Sequence, residues 1–256
     1  MCYNLKYYER KIKKIAKREG LDDSTLDKIP QLHFVNGFGH PDLIVVKDDE
    51  PNKINALSWG LIPFWVKNTM DAVKISNQTL NAVGETIFEK PAFRNAAKNQ
   101  RCVIFVDGFY ECHHIDAKTK VPFYIYRADG EPMILAGLWE IWHNDKDGIT
   151  RQTASIVTTK ANHKMSLIHN NPTAIQRNGP RMPVILPDEL MRDWLRHEDE
   201  SKAESERLKQ LLLPFPDDLL KVHPVANLQG KEGSGNSARA SEPINRDIGG
   251  LNEIVD

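Results

Sequence analysis

Residues 123–139 have the sequence FYIYRADGEPMILAGLW, in which two apolar runs flank a turn. An Asp-Gly pair in this setting is typical of a tight turn between antiparallel strands, so Phe123–Arg127 and Met133–Trp139 are predicted to form a β-hairpin. Other short runs with strand character are Leu43–Val46, Ala56–Trp59, Arg101–Val106, Thr153–Thr159, Pro183–Leu186 and Val222–Val225. Many short strands, without the regular strand–helix alternation of a parallel sheet, predict a mixed antiparallel α+β domain.

Helical periodicity appears in three segments, each with apolar residues on one face. In residues 7–19 the apolar face consists of Ile12, Ile15 and Ala16. Residues 187–198 begin with Pro187, a residue favoured in the first turn of a helix, and their inward positions are Leu190, Met191, Trp194 and Leu195. The third segment, Ser205–Leu213, is stopped by Pro214 and Pro216. Residues 31–50 are predicted to be loop apart from their one short strand.

The chain of 256 residues is 40% hydrophobic and carries a net charge of −1, which suits one domain of ordinary composition. Residues 1–228 are assigned to that domain. Residues 229–256, which include GKEGSGNSARASE, are predicted to be a polar tail that is disordered or loosely docked. Because the charge is balanced, nucleic-acid binding would require a local basic surface.

No apolar run is long enough for a transmembrane helix or a signal peptide, and three cysteines do not suggest a disulfide framework. A cytoplasmic protein is therefore predicted.

Cys2 follows Met1 directly, so removal of Met1 would leave one residue with a free thiol and a free α-amine. In model compounds the amine has a pKa of ~7.7–8.0 and the thiol ~8.5, so both react near neutral pH. An aminothiol can condense with an aldehyde and close a thiazolidine ring, or attack an acyl carbon. Position alone has a simpler explanation, since a small second residue permits removal of Met.

Four further segments carry polar or aromatic residues that suggest a site. Residues 59–65, WGLIPFW, form either a core that closes a barrel end or a wall on which a base could stack. Asn81 and Glu85 flank a glycine and would also suit a turn or helix cap. Glu111 ends an apolar strand, where burial of a carboxyl group would favour proton transfer but pairing with a cation is equally compatible. His169 follows an apolar pair and would also suit a core histidine.

Cys102, Cys112, His113 and His114 lie near one another in the sequence but lack the spacing of a zinc site. No phosphate-binding glycine loop follows a strand. Neither a metal nor a cofactor is predicted.

The motifs, taken in order, resemble the SRAP family, the SOS response-associated peptidases that shield abasic sites in DNA. The matching segments are Met1-Cys2, Trp59–Pro63, Asn81-Ala82, Glu85-Thr86, Pro91–Arg94, Arg101-Cys102, Asp107–Glu111, Gly137–Trp139, Thr158-Thr159, Ala161-Asn162, His169 and Arg181–Leu186. The resemblance extends from residue 1 to about residue 225. It implies a strongly bent antiparallel sheet or barrel core with flanking helices.

The resemblance also implies a function. The protein would bind single-stranded DNA as a monomer, with no membrane partner, and link Cys2 covalently to an abasic site after Met1 is removed. Removal of Met1 by the protein itself and weak strand-cleaving lyase activity are implied as well. Asn81 would position the Cys2 amine, while Glu111 and His169 would transfer protons. DNA contacts would come from Arg94 and Arg181, with Trp59, Pro63 and Trp65 as candidate stacking surfaces. Lys90, Lys98 and Arg101 would either add phosphate contacts or be solvated surface residues.

Four departures from the family pattern stand out. Asn4 and Val83 occupy positions where many members have arginine, Cys112 replaces a common Trp, and residues 170–180 form an insertion between His169 and Arg181. Two other functions are compatible with parts of the sequence. One is an N-terminal-nucleophile amidohydrolase or peptidase that acts on an external acyl substrate, and the other is a non-catalytic DNA-binding module.

Overall fold

A computed structural model of the chain describes residues 2–197 and 202–255. Its strands are β1 Asn4–Tyr7, β2 Leu32–Asn36, β3 Asp42–Lys47, β4 Ile54–Trp59, β5 Asn81–Val83, β6 Arg101–Val106, β7 Gly108–His114, β8 Lys120–Arg127, β9 Met133–Asn144, β10 Ile149–Lys160, β11 Arg181–Pro183, β12 Ile185–Leu186 and β13 Leu220–Pro224. Its α-helices are α1 Glu9–Glu19, α2 Thr69–Ser76, α3 Arg94–Asn99, α4 His163–Ile168, α5 Pro172–Asn178, α6 Met191–Leu195 and α7 Lys202–Gln210. Short 3-10 helices are Leu26–Lys28, Gly37–Gly39, Gly84–Thr86, Asp188–Leu190, Asp217–Leu219, Ala238–Ser241 and Leu251–Ile254.

Five strands close into a barrel. β3 pairs antiparallel with β4 and β6, β6 pairs with β9, and β9 pairs with β10. β10 completes the ring by pairing in parallel with β4, where Thr153 lies opposite Ser58. A second, antiparallel sheet has the order β13-β8-β7-β1-β2. The predicted α+β fold with a bent antiparallel core is therefore confirmed, with the β4–β10 and β5–β10 pairs as its parallel elements.

The barrel strands are apolar on both faces because each face is covered. On β3, Val45 belongs to a cluster of buried side chains that includes Phe123 of the five-stranded sheet. Its neighbour Val46 belongs to a second cluster that includes Ile12 of α1 and Trp194 of α6. Side chains alternate along a strand, so a strand enclosed by two cores needs apolar residues at every position.

The predicted hairpin between residues 123–127 and 133–139 is wrong. The turn itself is present, since Gly130 has φ +73° and its N–H donates to the Arg127 carbonyl over 2.9 Å. However, β8 pairs with β7 and β13, whereas β9 pairs with β6, β10 and β12. Pro132 has no N–H to continue a ladder after the turn, and the chain crosses there from the five-stranded sheet to the barrel.

Several predicted segments differ in extent from the structure, among them the helix predicted over Ser205–Leu213, which is α7. The helix of residues 7–19 is present as α1, with Ile12, Ile15 and Ala16 buried as predicted. Residues 31–50 contain a strand, β2, that the loop prediction missed. The helix predicted over residues 187–198 is a 3-10 turn followed by the short α6, in which Met191, Trp194 and Leu195 are buried, and residue 198 lies outside the described residues.

The C-terminal segment packs against the domain, so its prediction as disordered or loosely docked is wrong. Ala240, Ile248 and Ile254 are buried. Lys6 of β1 donates from Nζ to the Ser241 hydroxyl over 2.7 Å, and Val225 forms a β-bridge with Pro243. Three spaced apolar side chains anchor a segment whose composition is otherwise polar. The division of the chain at residue 228 stays a prediction. No described helix has the length and apolar character that a membrane crossing requires.

Candidate active site

Cys2 lies just before β1, which runs between β7 and β2 in the five-stranded sheet. The side chain is buried, and its sulfur lies 3.9 Å from the Asn4 carbonyl oxygen. Burial, reinforced by the negative charge of Glu111, raises the pKa of the Cys2 thiol well above its ordinary value. The thiol is therefore protonated at neutral pH, and its use as a nucleophile requires a nearby base.

Asn81 holds the backbone at Cys2. It begins β5, which pairs in parallel with β10 opposite Ile156, and its Nδ2 donates to the Cys2 carbonyl over 2.8 Å. Trp59 supports this strand because its indole N–H donates to the Leu80 carbonyl over 2.8 Å. Asn81 is buried, and its Oδ1 finds no hydrogen-bond partner among the residues that the structure describes. A buried acceptor without a donor is costly, so its presence beside the backbone of Cys2 suggests a partner supplied during function.

Glu111 faces the same region from β7. The register places Tyr110 opposite Asn4 of β1, which brings Glu111 alongside the residues that follow Cys2. The backbone N–H of Cys112 donates to Glu111 Oε1 over 3.0 Å and fixes the carboxylate. A cavity of about 400 Å³ lies here; its lining includes Tyr3, Glu111, His114, His169, Arg177 and Arg181. We refer to it as the Cys2 cavity because its lining includes Tyr3, the residue after Cys2, and Glu111, whose charge acts on the Cys2 thiol.

His169 ends α4 and is buried at the wall of the Cys2 cavity. Its Nδ1 accepts the backbone N–H of Arg181 over 3.2 Å, which leaves the ring proton of the neutral form on Nε2. Burial lowers the pKa of His169, although the charge of Glu111 acts in the opposite direction. The ring is therefore neutral at physiological pH, with its proton on Nε2.

Arg181 is part of the site's framework. Its guanidinium forms a two-pronged ion pair with Glu85, both bonds 2.7 Å long, and donates to the Thr158 carbonyl over 2.7 Å. Burial alone would raise the pKa of Glu85, but the hydrogen bonds from Arg181 lower it overall. With 3% of its surface exposed, Arg181 fixes His169 through its own backbone N–H. The structure thus gives it a positioning role, and the phosphate contact stays a prediction.

This chain is similar to several known proteins. A family model described as SOS response associated peptidase (SRAP) matches residues 1–231. This chain belongs to the SRAP family. It is 37% identical over 186 residues to "Abasic site processing protein YoqW" of Bacillus subtilis (strain 168), a match covering 73% of this chain and 75% of that protein. It is 29% identical over 200 residues to "Abasic site processing protein HMCES" of Xenopus tropicalis, covering 71% of this chain and 52% of the relative.

A solved structure also matches the SRAP chain. The crystal structure of a protein from Bacteroides thetaiotaomicron superposes with a TM-score of 0.82 at 30% sequence identity, covering 95% of this chain and 100% of that one. The barrel and the second sheet are therefore an architecture shared with a relative of known structure.

The aromatic loop of the SRAP domain divides into a buried and an exposed part. Trp59 and Pro63 are buried, so their prediction as stacking surfaces is wrong and their interpretation as core residues is right. Trp65 is 46% exposed and Phe64 58% exposed. These two side chains line a cavity of about 290 Å³ whose other walls are Pro91, Arg94, Asn95 and Lys98. The structure thus brings Trp65 and Arg94 together with Phe64 of the same aromatic segment, and their contact with DNA stays a prediction.

Arg101 is a structural residue of the SRAP domain, so its prediction as a phosphate contact is wrong. Its side chain is fully buried, and the guanidinium donates to the carbonyls of Trp194, Lys98 and Arg196 over 2.7, 2.9 and 2.6 Å. By contrast, Lys90 and Lys98 are exposed and remain available as phosphate contacts.

Sequence reasoning missed two further features near the SRAP site. The rings of Tyr3 and Phe38 lie 5.1 Å apart between centroids, and Phe38 is 52% exposed, which places an aromatic pair at the edge of the Cys2 cavity. His113 and His114 also contact the segments around His169. Within residues 2–197 and 202–255, no three His, Cys, Asp or Glu side chains are grouped so that they could hold a metal ion.

Proposed function

We propose that this protein binds single-stranded DNA at an abasic site and links itself to the sugar through Cys2, once Met1 has been removed. The observation that carries the proposal is that three separate parts of the chain meet near Cys2. Asn81 donates to the Cys2 carbonyl, the charge of Glu111 acts on the Cys2 thiol, and His169 lines one cavity with Glu111 and Tyr3. The relatives are named for abasic site processing, which supports the same substrate.

The ring-opened abasic sugar supplies an aldehyde. The Cys2 amine attacks its carbon, and the resulting carbinolamine loses water when an acid protonates the departing hydroxyl. Glu111, on the cavity wall, suits that step. In the Schiff base that forms, the Cys2 sulfur attacks the imine carbon while the thiol proton passes, by way of the Glu111 carboxylate, to the imine nitrogen. The thiazolidine ring that results resists hydrolysis.

The geometry also supports a role for Asn81. A freed α-amine of Cys2 would give the Asn81 Oδ1 the hydrogen-bond donor that it lacks among the described residues, while Asn81 Nδ2 keeps its bond to the Cys2 carbonyl. One amide would then fix both sides of the nucleophilic residue. Such fixing lowers the entropy lost on reaching the transition state.

Two finer activities belong to the same proposal. The protein would remove Met1 itself, with Cys2 as nucleophile, which is the peptidase activity in the family's description. A Schiff base on C1 of the sugar also makes the C2 proton acidic, so a base could remove it and expel the 3′ phosphate. Closure of the thiazolidine consumes the Schiff base, and lyase activity should therefore be weak in the wild type.

The test is the intact mass of the protein, alone and after incubation with a single-stranded oligonucleotide that carries one abasic site. We expect loss of Met1 and a stable adduct that forms without a reducing agent. Cys2→Ser, which keeps the amine but loses the thiol, should give an adduct that survives only after borohydride reduction. Cys112→Ala is the matched control, because Cys112 is a partly exposed cysteine on β7, and it should form the adduct normally.

Two results would contradict the proposal. A normal adduct with Cys2→Ala would show that another residue reacts. Loss of Met1 without any adduct, together with hydrolysis of small amides, would instead support an N-terminal-nucleophile amidohydrolase, for which the buried Cys2 and its partners are equally suited.

A further inference from the structure

The Cys2 cavity contains a carboxylate and few available cations. Glu111 contributes a negative charge, and Arg181 is committed to Glu85 by its two-pronged ion pair. A site for a phosphodiester strand needs positive charge facing the backbone. Asn4 and Val83 add no charge, so the charge must come from another residue of the cavity wall.

Arg177 is the available cation on the wall of this cavity. It lies in the last turn of α5, in the segment between His169 and Arg181, and it is exposed. No hydrogen bond or ion pair from another described residue holds its guanidinium. Its charge acts on Tyr3, lowering a pKa that burial raises, so Arg177 lies close to the residue that follows Cys2.

The helix that carries Arg177 is a defined element. Asn171 caps its start, with Oδ1 accepting the Ala174 N–H over 3.1 Å, and Pro172 occupies the first turn. Gly179, with φ +68°, ends it. A helix with both ends specified presents a side chain at its last turn in a reproducible position.

The two adjacent histidines of β7 attach this helix to the site. His113 Nδ1 lies 2.9 Å from the Leu167 carbonyl in α4. His114 exchanges backbone bonds with the Asn170 side chain, at 2.7 and 2.8 Å, and its Nε2 lies 3.2 Å from Asn171 Nδ2. These bonds fasten both sides of His169 to the strand that carries Glu111. Arg177 is thereby held at a fixed position relative to Glu111 and His169.

We propose that Arg177 binds a backbone phosphate of the DNA at the Cys2 cavity, and that α5 is the element that positions it. The inference deepens the proposed function and rests on it. Arg177 supplies positive charge to a cavity wall on which Arg181 is already paired with Glu85. It acts on DNA affinity and placement, and the proton transfers are left to Glu111 and His169.

The experiment compares Arg177→Ala with Gln176→Ala, a neighbouring exposed residue on the same helix that carries no charge. Binding to a single-stranded oligonucleotide without an abasic site is measured by fluorescence anisotropy over a range of salt concentrations. For Arg177→Ala we expect about fivefold weaker binding at low salt. The slope of log K against log salt should be smaller by ~0.7, as for one lost phosphate contact on a single strand. Arg177→Lys should restore most of the slope, and Gln176→Ala should match the wild type.

Crosslinking to the abasic oligonucleotide is then measured on the same variants. For Arg177→Ala the half-saturating DNA concentration should rise by a larger factor than the limiting rate falls. An unchanged affinity and salt slope would overturn the proposal, as would a loss confined to the limiting rate. Because the binding assay needs no reaction at Cys2, these results are separate from the failure of wild-type crosslinking, which would overturn the proposed function instead.

Discussion

The Cys2 cavity and the exposed surface formed by Phe64, Trp65, Arg94 and Lys98 are built in opposite ways. At Cys2 and its cavity, Asn81, His169 and Arg181 are buried and fixed by hydrogen bonds to backbone or to other side chains. On the exposed surface, the Trp65 indole has one long bond, 3.4 Å to the Pro91 carbonyl, and the side chains face solvent. Reactive groups gain from being held in place before the substrate arrives, whereas a surface for DNA must leave its rings and charges uncovered.

A substitution at Trp59 tests whether this residue belongs with the Cys2 cavity or with the exposed surface. It belongs to the aromatic loop in sequence but supports Asn81 through its bond to the Leu80 carbonyl. Trp59→Ala should lower the free energy of unfolding by about 3–5 kcal/mol, because it empties a fully buried site. Denaturant unfolding measures this loss. A change below about 1 kcal/mol would place Trp59 with the exposed surface after all.

Glu111→Gln separates chemistry from binding within the cavity. The variant keeps the shape of the side chain but removes its ability to exchange a proton, so crosslinking at saturating DNA should slow by about 10²-fold. Single-turnover crosslinking followed on denaturing gels measures the rate. Glu131→Gln, in the turn between β8 and β9, is the control. Equal rates for the two variants would exclude Glu111 as the proton-transfer group.

Trp65→Ala should have the opposite profile to Trp59→Ala. Loss of one stacking ring should weaken binding to single-stranded DNA by about 1–3 kcal/mol, while the stability changes by less than about 1 kcal/mol. Anisotropy titrations and denaturant unfolding on the same preparations provide both values. If Trp65→Ala instead destabilises the fold and binds DNA normally, the exposed surface is not a nucleic-acid interface.

The smallest effect concerns pH. Because burial lowers the pKa of His169, the unfolded chain binds its proton more readily than the folded chain does. The neutral His169 ring therefore makes its whole contribution to the free energy of unfolding above the ordinary histidine pKa of ~6.5. This contribution is lost as the pH falls below that value. His169→Asn should reduce the decline in unfolding free energy between pH 8 and pH 5. An unchanged decline would assign the pH dependence to other groups.

Periodicity was a good guide to what is buried and a poor guide to pairing. It predicted the inward face of α1 because apolar residues spaced at the 3.6-residue period of a helix lie on one face. It could not predict that β8 and β9 separate after the Asp129-Gly130 turn, because the apolar residues of a strand do not specify which other strand it pairs with. The same limit applies to Trp59 and Pro63, whose burial depends on strands far away in the chain.

For the site too, the sequence indicated which residues matter but not which residues they pair with. Ordered motifs brought Cys2, Asn81, Glu111 and His169 to attention, and the structure gathers them. The partners of charged groups were not predictable, because Arg181 finds Glu85 at a separation of 96 residues and Arg101 finds Glu204 at 103. An arginine in a motif looks the same whether it faces a phosphate or a carboxylate of its own chain.

The distance along the chain between Cys2 and its partners has a consequence for protein synthesis. Cys2 is made first, Asn81 follows 79 residues later, and His169 comes after about as many again. At ~5–20 residues per second, the nucleophile exists for on the order of ten seconds or more before its acid–base groups have been translated. Under the proposed function, the residue on the ribosome is thus an ordinary thiol and amine, and only the finished domain would make it a reagent for damaged DNA.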